Sequence, residues 1–352
     1  MVHFNGNFKK FHMPFISTLG LYFDLGTAYT RLAVKDKGVV LKEPTYLGYN
    51  SRIKEYIFFG SEAKVIEGKS PDFIKIVRPV VNGILSDFDA ETAFIKKCME
   101  KSVAPYISTL FFLKPTYRAL VSIPLIATEI EQKAVEECLI KAGCASVTLI
   151  EKPLATASGC GFNVLSHDPH FIIDLGAGLI ELSIVSGGGI VSHKTLKNGG
   201  EHMNKIVANY MHLKHGIILG ERSSEQLKID LLQFSGEDKM VAVRGKSLET
   251  GLPKSVKVKT GDIKEALLST FNQIVDSTKE LIELSPPEIA DEIFRNGITL
   301  TGHMAGILGL DEYLAKEIQI DVHITEQYTD ATIYGLIQLD KNPQDFAKLY
   351  GI

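Results

Sequence analysis

The sequence predicts an α/β protein built from two related lobes, and three observations lead to that prediction. The chain has 352 residues, which is more than one small hydrophobic core usually holds together. The pattern of residues 21–28 recurs at residues 171–178. In the remaining sequence, apolar segments of strand length alternate with segments that have a helical period.

Each copy of the repeat is an apolar strand that ends in Asp-Leu-Gly, at Asp24 in the first copy and at Asp174 in the second. A turn of small residues follows, and then a second strand, at 31–34 and at 181–185. A glycine turn and a third apolar segment complete each unit. Two hairpin-like units of this kind predict two lobes that face each other.

The turns of the repeat suit phosphate binding, because backbone N–H groups can approach phosphate oxygens where side chains are small. They consist of Gly26, Thr27 and Ala28 in the first copy and of Gly176, Ala177 and Gly178 in the second. An aspartate at each strand end could hold a hydrated Mg²⁺, since hard cations prefer oxygen ligands. We expect the two loops to clamp one triphosphate, although a single Asp-Leu-Gly would be explained equally well as an ordinary turn.

Further elements follow from local patterns. Strands are predicted at 119–124, 147–150 and 298–301, and a helix around 311–317. Thr128 is a predicted N-cap, with Glu131 as its capping-box partner, for a helix that ends near Ala142. The polar stretch from Gly220 to about Val258 has no clear apolar period and is predicted to be a peripheral insertion.

Composition excludes several classes of protein. The formal net charge of −4 gives no basic field, so nucleic-acid binding is disfavoured. The four cysteines are scattered without zinc-type spacing, which is typical of a reducing, cytoplasmic compartment. No apolar segment reaches the roughly 20 residues of a membrane span. Pro14 interrupts the uncharged stretch at 11–23, which therefore does not fit a signal peptide.

Several motifs in the same order make the chain resemble the MreB family of bacterial actins from about residue 20 to 340. They are the first phosphate loop at 24–30, the segment 78–89, the connection at 150–157, the second phosphate loop at 174–181, the segment 220–228 and the late glycine motif that begins at 300–302. The resemblance implies the actin/Hsp70/hexokinase-like ATPase fold, with two lobes of duplicated βββαβα-type units and four subdomains.

The resemblance also implies domain boundaries. Lobe I would comprise residues 1–155 and 325–352, with a small subdomain at about 49–75. Lobe II would comprise residues 156–324, with a small subdomain at about 200–262. ATP and Mg²⁺ would lie in the cleft between them.

The family's functional residues can be transferred to the matching positions. The resemblance implies catalytic roles for Glu131, Asp174 and Asp24, and water-mediated Mg²⁺ binding by the two aspartates. The implied nucleotide-binding residues are Gly26, Thr27, Ala28, Tyr29, Gly176, Ala177, Gly178, Gly200, Glu201, Glu225, Lys228, Gly302, His303 and Met304. The capping box is an alternative explanation for Glu131.

Three departures from the family pattern bear on hydrolysis. Leu179 and Ile180 stand where the family typically has two threonines, and neither side chain can position a water by hydrogen bonding. His303 and Met304 replace glycines, and Tyr29 replaces an asparagine. We therefore expect slow ATP hydrolysis, with harmless divergence as the alternative.

The resemblance implies a homopolymeric filament, with paralogous actins as further partners and the inner membrane face as its location. Leu110, Phe111, Phe112 and Leu113 fall where the family has a membrane-inserting loop, and a buried strand is the alternative. A pseudo-ATPase that binds nucleotide without hydrolysing it is the runner-up function. A sugar kinase or an Hsp70-like chaperone fits less well, because the expected additional segments are not found in this sequence.

Overall fold

Two five-stranded sheets with one shared topology form the centre of the molecule. The structure is a computed structural model that describes residues 18–106 and 115–342 together with residues 344, 347 and 349. In each sheet, three consecutive strands pair antiparallel, and the first of them also pairs parallel with a strand from much later in the chain. The second sheet thus repeats the first, as the duplicated sequence pattern predicts.

The first sheet and its neighbouring small strands come from the first half of the chain. In chain order these strands are β1 Thr18–Leu25, β2 Tyr29–Val34, β3 Gly38–Pro44, β4 Leu47–Asn50, β5 Glu55–Phe59, β6 Ile74–Val77, β7 Val80–Val81, β8 Ile84–Leu85, β9 Thr116–Ile123 and β10 Cys144–Glu151. The large sheet has the order β10-β9-β1-β2-β3. The small sheet β5-β4-β6 occupies the region of the predicted small subdomain at 49–75.

The second half of the chain repeats this arrangement. Its strands are β11 His170–Leu175, β12 Ile180–Ser186, β13 Gly189–Leu196, β14 Ile217–Ile218, β15 Met240–Ser247, β16 Pro253–Lys259, β17 Ile298–Thr301 and β18 Val322–Ile324. The large sheet has the order β13-β12-β11-β17-β18, and β14-β15-β16 form a small sheet. The strands predicted at 119–124, 147–150 and 298–301 correspond to β9, β10 and β17.

Helices cover the sheets. They are α1 Ser61–Ile66, α2 Phe88–Ser102, α3 Glu129–Ala142, α4 Lys152–Gly159, α5 Gly200–His215, α6 Glu221–Leu231, α7 Thr260–Glu283, α8 Pro287–Asn296, α9 Leu310–Ile318 and α10 Ala331–Lys341. The predicted capping box is present at the start of α3, and α9 matches the helix predicted around 311–317. No helix in the described ranges combines the length and the low charge that a membrane span needs.

The segment from Gly220 to about Val258, predicted to be a peripheral insertion, has regular secondary structure. The segment contains α6, β15 and most of β16, and Leu227 and Leu231 of α6 are buried in the core of the second lobe. In β15, buried and exposed positions alternate, but the inward-facing valines are only half-buried. The alternation of apolar and polar residues in β15 is therefore too weak to indicate a strand from the sequence.

Helices α4 and α10 cross between the two large sheets. A Cβ at Gly159 would lie 1.7 Å from the Ala331 carbonyl oxygen, and one at Gly335 would lie 1.6 Å from that of Ala155. The two helix backbones are therefore in direct contact, which only glycine permits. The predicted lobe boundary at residue 155 lies inside α4. The other lobe boundaries stay predictions.

Candidate functional site: the cleft between the two phosphate loops

The two Asp-Leu-Gly loops have the same backbone geometry. In the first loop, the Gly26 N–H donates to the Tyr29 carbonyl oxygen at 3.1 Å, and in the second loop the Gly176 N–H donates to that of Leu179 at 3.0 Å. A Cβ on either glycine would lie within 2.7 Å of the same carbonyl oxygen. Each turn therefore requires glycine at its first position.

The two loops also contact each other across the cleft. The Gly83 N–H donates to Thr27 Oγ1 at 2.8 Å, so the side chain of the first loop is held in place. A Cβ at Gly178 would lie 2.4 Å from Thr27 Oγ1 and 2.7 Å from the Asn82 Cα. A narrow pocket of about 100 Å³ lies between the loops. Its size and its glycine lining suit phosphate groups rather than a nucleoside.

Arg31 neutralises the aspartate of the first loop. It lies opposite Asp24 in the β1–β2 hairpin, and its Nη1 donates to Asp24 Oδ2 at 3.1 Å. Its Nε donates to Asp330 Oδ1 at 2.6 Å, and its Nη2 donates to the Thr329 carbonyl oxygen at 2.7 Å. Burial by itself would lower the pKa of Arg31, but Asp24 and Asp330 outweigh burial and raise it. This guanidinium is therefore permanently charged.

Lys152 neutralises the aspartate of the second loop. Its Nζ lies 2.6 Å from Asp174 Oδ2 and 2.7 Å from Glu181 Oε2. Asp174 and Glu181 are opposite each other in the β11–β12 hairpin, and Lys152 comes from the start of α4. Burial lowers the pKa of Lys152, but the two carboxylates raise it above its usual value. Two acidic side chains thus share one buried cation.

The late glycine motif closes the pocket beside Asp174. Gly302 has a φ of 84°, and a Cβ there would lie 2.5 Å from Asp174 Oδ1. His303 lies near Tyr29 of the first loop, with ring centroids 6.5 Å apart. Burial lowers the pKa of His303, which favours the neutral form of its imidazole. Tyr29 and His303, two of the departures from the family pattern, are therefore close to each other at the cleft.

A second, wider cavity of about 600 Å³ adjoins the narrow pocket. Among the residues that line it are Tyr29, Gly200, Glu201, Glu225, Lys228, His303 and Met304, all of which the sequence predicts as nucleotide-binding residues. Lys228 Nζ donates to the Gly200 carbonyl oxygen at 2.7 Å, and burial lowers the pKa of Lys228 to about 8. The volume lies in the range of small-molecule sites.

Two cationic side chains from the first half of the chain reach across this wider cavity. Lys64 of α1 lies 3.1 Å from Glu225, and Arg78 lies 2.7 Å from Glu221. Arg78 also forms an ion pair with Glu201. These pairs join the two lobes at the cleft's outer edge.

Comparison with known proteins identifies the family. The model of the MreB/Mbl protein family matches residues 18–348. The chain belongs to the MreB/Mbl family. Among its relatives are the cell shape-determining protein Mbl of Bacillus subtilis, 31% identical over 91% of this chain and 96% of the relative, and the cell shape-determining protein MreB of Escherichia coli, 32% identical over 90% and 91%.

Solved structures of other proteins show the same fold. MreB5 of Spiroplasma citri, bound to ADP, matches with a TM-score of 0.87 at 28% identity. The match covers 94% of this chain and 98% of MreB5. MreB5 was also solved bound to AMPPNP. The MamK double helical filament has a TM-score of 0.78 at 16% identity, over 92% and 99% of the two chains. The predicted actin-like fold is thereby confirmed.

The contacts of the two loop aspartates in this MreB/Mbl protein do not fit the predicted magnesium site. Asp24 Oδ2 accepts from Arg31 and Oδ1 accepts from Ser122 at 3.3 Å. Asp174 Oδ2 is paired with Lys152, and its Oδ1 faces Gly302. A water-held divalent cation needs carboxylates whose charge is available to it. Here each aspartate is already paired with a cation of the chain.

Glu131 lies apart from both parts of the cleft. Its Oε2 accepts from the Thr128 N–H and from Thr128 Oγ1, each at 2.8 Å. These hydrogen bonds lower the pKa of Glu131, and the residue is partly exposed. The capping role is therefore present, whereas the implied catalytic role stays a prediction.

Only one of the two aliphatic replacements faces the cleft. Leu179 lines the narrow pocket and is packed near Gly83 and Pro124. Ile180 is fully buried in the core of the second lobe, where its strand begins. The prediction that both positions affect hydrolysis is therefore narrowed to Leu179. Leu110, Phe111, Phe112 and Leu113 lie outside the described residues.

The sequence prediction omitted Arg31 and Lys152 as site residues. Arg31 carries a visible signal, because it is a lone charge in the apolar strand that follows the first loop. Lys152 follows Glu151 and precedes Pro153 at the start of a helix, a position where a lysine is usually solvated. Nothing in its local sequence indicates that it pairs with Asp174.

Proposed function

We propose that this protein is an ATP-binding, actin-like cytoskeletal protein that polymerises into filaments and determines or maintains cell shape. The filaments lie at the cytoplasmic face of the inner membrane, and ATP hydrolysis is slow. The observation that carries the proposal is the contact between two related glycine loops, at Thr27 and Gly178, at the bottom of one cleft. Relatives at about 32% identity are named cell shape-determining proteins, which supports the cellular role.

The two parts of the cleft fit the two parts of a nucleotide. The narrow pocket would receive the phosphates, with the backbone N–H groups of both loops as donors. The wider cavity would receive the nucleoside between Lys228, Glu225 and Met304. ADP and AMPPNP bound to MreB5 support this assignment.

Melting temperature tests nucleotide binding directly. ATP should raise the melting temperature of the wild-type protein, because a ligand that binds only the folded state stabilises it. Asp24→Ala and Asp174→Ala should each reduce this shift, because each variant removes the carboxylate that orients Arg31 or Lys152 in the phosphate pocket. Asp291→Ala removes an exposed carboxylate on α8 and serves as the matched control. The absence of a shift at millimolar ATP, both with Mg²⁺ and with EDTA, would refute the proposal.

Filament formation is tested by sedimentation and electron microscopy with and without ATP. The wild-type protein should pellet as filaments when ATP is present, and the two alanine variants of the loop aspartates should stay in the supernatant. A protein that remains monomeric at all concentrations would contradict the filament role. Co-sedimentation with paralogous actins would test the predicted heterologous partners.

Membrane contact is assigned to the apolar segment at Leu110–Leu113. Many weakly binding copies in one filament bind a membrane with high avidity. Phe111→Ser with Phe112→Ser should greatly reduce pelleting with liposomes and should leave the melting temperature unchanged. An insoluble or unfolded double variant would instead place these side chains in the core.

The pseudo-ATPase remains the second candidate, and Glu131 favours it. Its carboxylate caps α3, and Leu179 offers no hydroxyl to a water. Phosphate release at saturating ATP distinguishes the two functions. A measurable rate that depends on filament assembly supports the slow ATPase, and a rate equal to the protein-free control supports the pseudo-ATPase.

A further inference from the structure

The phosphate end of the cleft contains two buried cations. Arg31 and Lys152 both line the narrow pocket, and their side chains are only 10% and 19% exposed. One comes from the first lobe's hairpin and the other from α4, so each large sheet has one cation at its loop. Together they carry two positive charges, the same charge as one divalent cation.

Each cation is paired with an aspartate that a metal ion would otherwise use. Asp24 contributes Oδ2 to Arg31 at 3.1 Å, and Asp174 contributes Oδ2 to Lys152 at 2.6 Å. The remaining oxygens are also confined, since Asp24 Oδ1 accepts from Ser122 and Asp174 Oδ1 faces Gly302. A divalent cation bound to these oxygens would have to compete with Arg31 and Lys152 for them, and it would add positive charge beside two buried cations.

The sum of the charges around the two loops also indicates that the pocket does not need a divalent cation. Four carboxylates surround the two buried cations, those of Asp24, Asp174, Glu181 and Asp330. A third cation, the half-exposed Lys42, lies 2.9 Å from Asp330. These groups sum to a single negative charge. Without the two buried cations the sum would be three negative charges, an environment that calls for a divalent cation before a polyphosphate can enter.

Both side chains retain hydrogen-bonding capacity for a ligand. A lysine ammonium has three donors, and Lys152 uses two of them for Asp174 and Glu181. An arginine has five N–H donors, and Arg31 donates three hydrogen bonds, to Asp24, Asp330 and the Thr329 carbonyl oxygen. Charge-assisted hydrogen bonds to phosphate oxygens are among the stronger interactions available in a partly buried pocket.

We infer that Arg31 and Lys152 replace the divalent cation at the phosphate end of the cleft, so that this protein binds a nucleoside di- or triphosphate free of metal. The inference rests on the nucleotide site proposed above. It differs from the magnesium-dependent binding that the family resemblance implies.

Titration calorimetry with ATP, once in Mg²⁺ and once in EDTA, tests the inference on the wild-type protein. The two dissociation constants should agree within about threefold. A dissociation constant about 100-fold weaker in EDTA would overturn the inference and leave the proposed function intact. No binding in either buffer would refute the proposed nucleotide site itself, so the two failures are distinguishable.

A charge-balanced double variant tests the role of Lys152. Lys152→Gln with Glu181→Gln removes one charge of each sign and leaves Asp174 as a free carboxylate. ATP binding in EDTA should weaken by about tenfold or more, and Mg²⁺ should restore it. Unchanged binding in EDTA would show that Lys152 does not replace the metal. If the variant fails to fold, Lys152→Arg, which keeps the cation, should still bind in EDTA, and a metal requirement in that variant would contradict the inference.

The matched control is the exposed pair between Lys194 of β13 and Glu280 of α7. Lys194→Gln with Glu280→Gln makes the same chemical change in the same lobe, and it should leave ATP binding in EDTA unchanged. Electron paramagnetic resonance of Mn²⁺ supplies a second readout. In the presence of ADP, the wild-type protein should show no stoichiometric Mn²⁺ site, whereas the Lys152/Glu181 double variant should gain one. A stoichiometric site in the wild-type protein would overturn the inference.

Discussion

The two phosphate loops share a backbone and differ in how their charge is neutralised. In the first loop, the residue opposite Asp24 in the hairpin is Arg31, so the counter-charge is part of the same supersecondary unit. In the second loop, the residue opposite Asp174 is Glu181, so the hairpin has two negative charges. Their counter-charge is Lys152, which arrives from α4.

The comparison shows that duplication preserved the phosphate-binding backbone but not its electrostatics. The glycine-to-carbonyl hydrogen bonds differ by only 0.1 Å between the loops, at 3.1 Å and 3.0 Å. The first loop can neutralise its aspartate locally. The second depends on the interlobe connection, so the charge state of its pocket is tied to the packing of α4 against α10.

The largest expected effect comes from removing the shared cation. Lys152→Met leaves Asp174 and Glu181 buried without any cation of the described residues within 4 Å, and should destabilise the protein by about 3–5 kcal/mol. Arg31→Leu should cost about 1–3 kcal/mol, because Asp330 keeps Lys42 and Asp24 keeps Ser122. Urea unfolding of both variants measures the difference. An equal or greater loss for Arg31→Leu would contradict the comparison.

Glu91 extends the comparison to a buried carboxyl that has no cation. It is fully buried in α2, no hydrogen-bond partner lies among the described residues, and burial raises its pKa from 4.5 to about 8. A raised folded-state pKa contributes stability that is fully present below pH 4.5 and is lost as the pH rises towards 8.

Glu91→Gln should therefore be more stable than wild type at pH 8, by a free energy of unfolding on the order of 1–3 kcal/mol, and should melt at a higher temperature. The difference should shrink at pH 5. Melting curves at the two pH values measure this effect. Glu129→Gln changes an exposed carboxylate at the start of α3 and is the control. If the melting temperature of the wild-type protein instead rises from pH 5 to pH 8 relative to that of Glu91→Gln, the pKa of Glu91 is not raised by burial.

The variant Leu179→Thr tests whether the aliphatic side chain at this position of the second loop is the cause of slow ATP hydrolysis. Leu179→Thr places a hydroxyl in the pocket and should raise phosphate release by about tenfold or more, since a positioned group contributes about 10²–10⁴. Ile180→Thr puts the same hydroxyl in the core and should lower the melting temperature without raising the rate. Equal rates in wild type and Leu179→Thr would favour the pseudo-ATPase.

The smallest expected effect concerns the contact between the loops. Gly178→Ala places a methyl group against Thr27 and Asn82 and should destabilise the closed cleft by about 1 kcal/mol, with weaker ATP binding. Gly189→Ala, where no atom of the described residues lies within 4 Å of the added methyl, should leave both quantities unchanged. Identical behaviour of the two variants would mean that the loops are not in contact in solution.

The sequence by itself determined the duplicated hairpins, the glycine loops and the capping box of α3. Each of these depends on residues that are close in sequence, where strand alternation, backbone freedom and capping geometry act locally. Those local rules gave Asp24 and Asp174 their places at the ends of β1 and β11. They also led to the family resemblance, which the comparisons confirm.

Only the tertiary structure decided which charges meet and which apolar side chains face the cleft. Arg31 reaches Asp330, 299 positions away, and Lys152 reaches Asp174 because α4 starts beside β11. Leu179 and Ile180 are neighbours in sequence, yet Leu179 lines the pocket and Ile180 is buried in the core of the second lobe. Coulomb interactions and burial depend on distances in space, and the distance between segments far apart in sequence is set by packing of the whole chain.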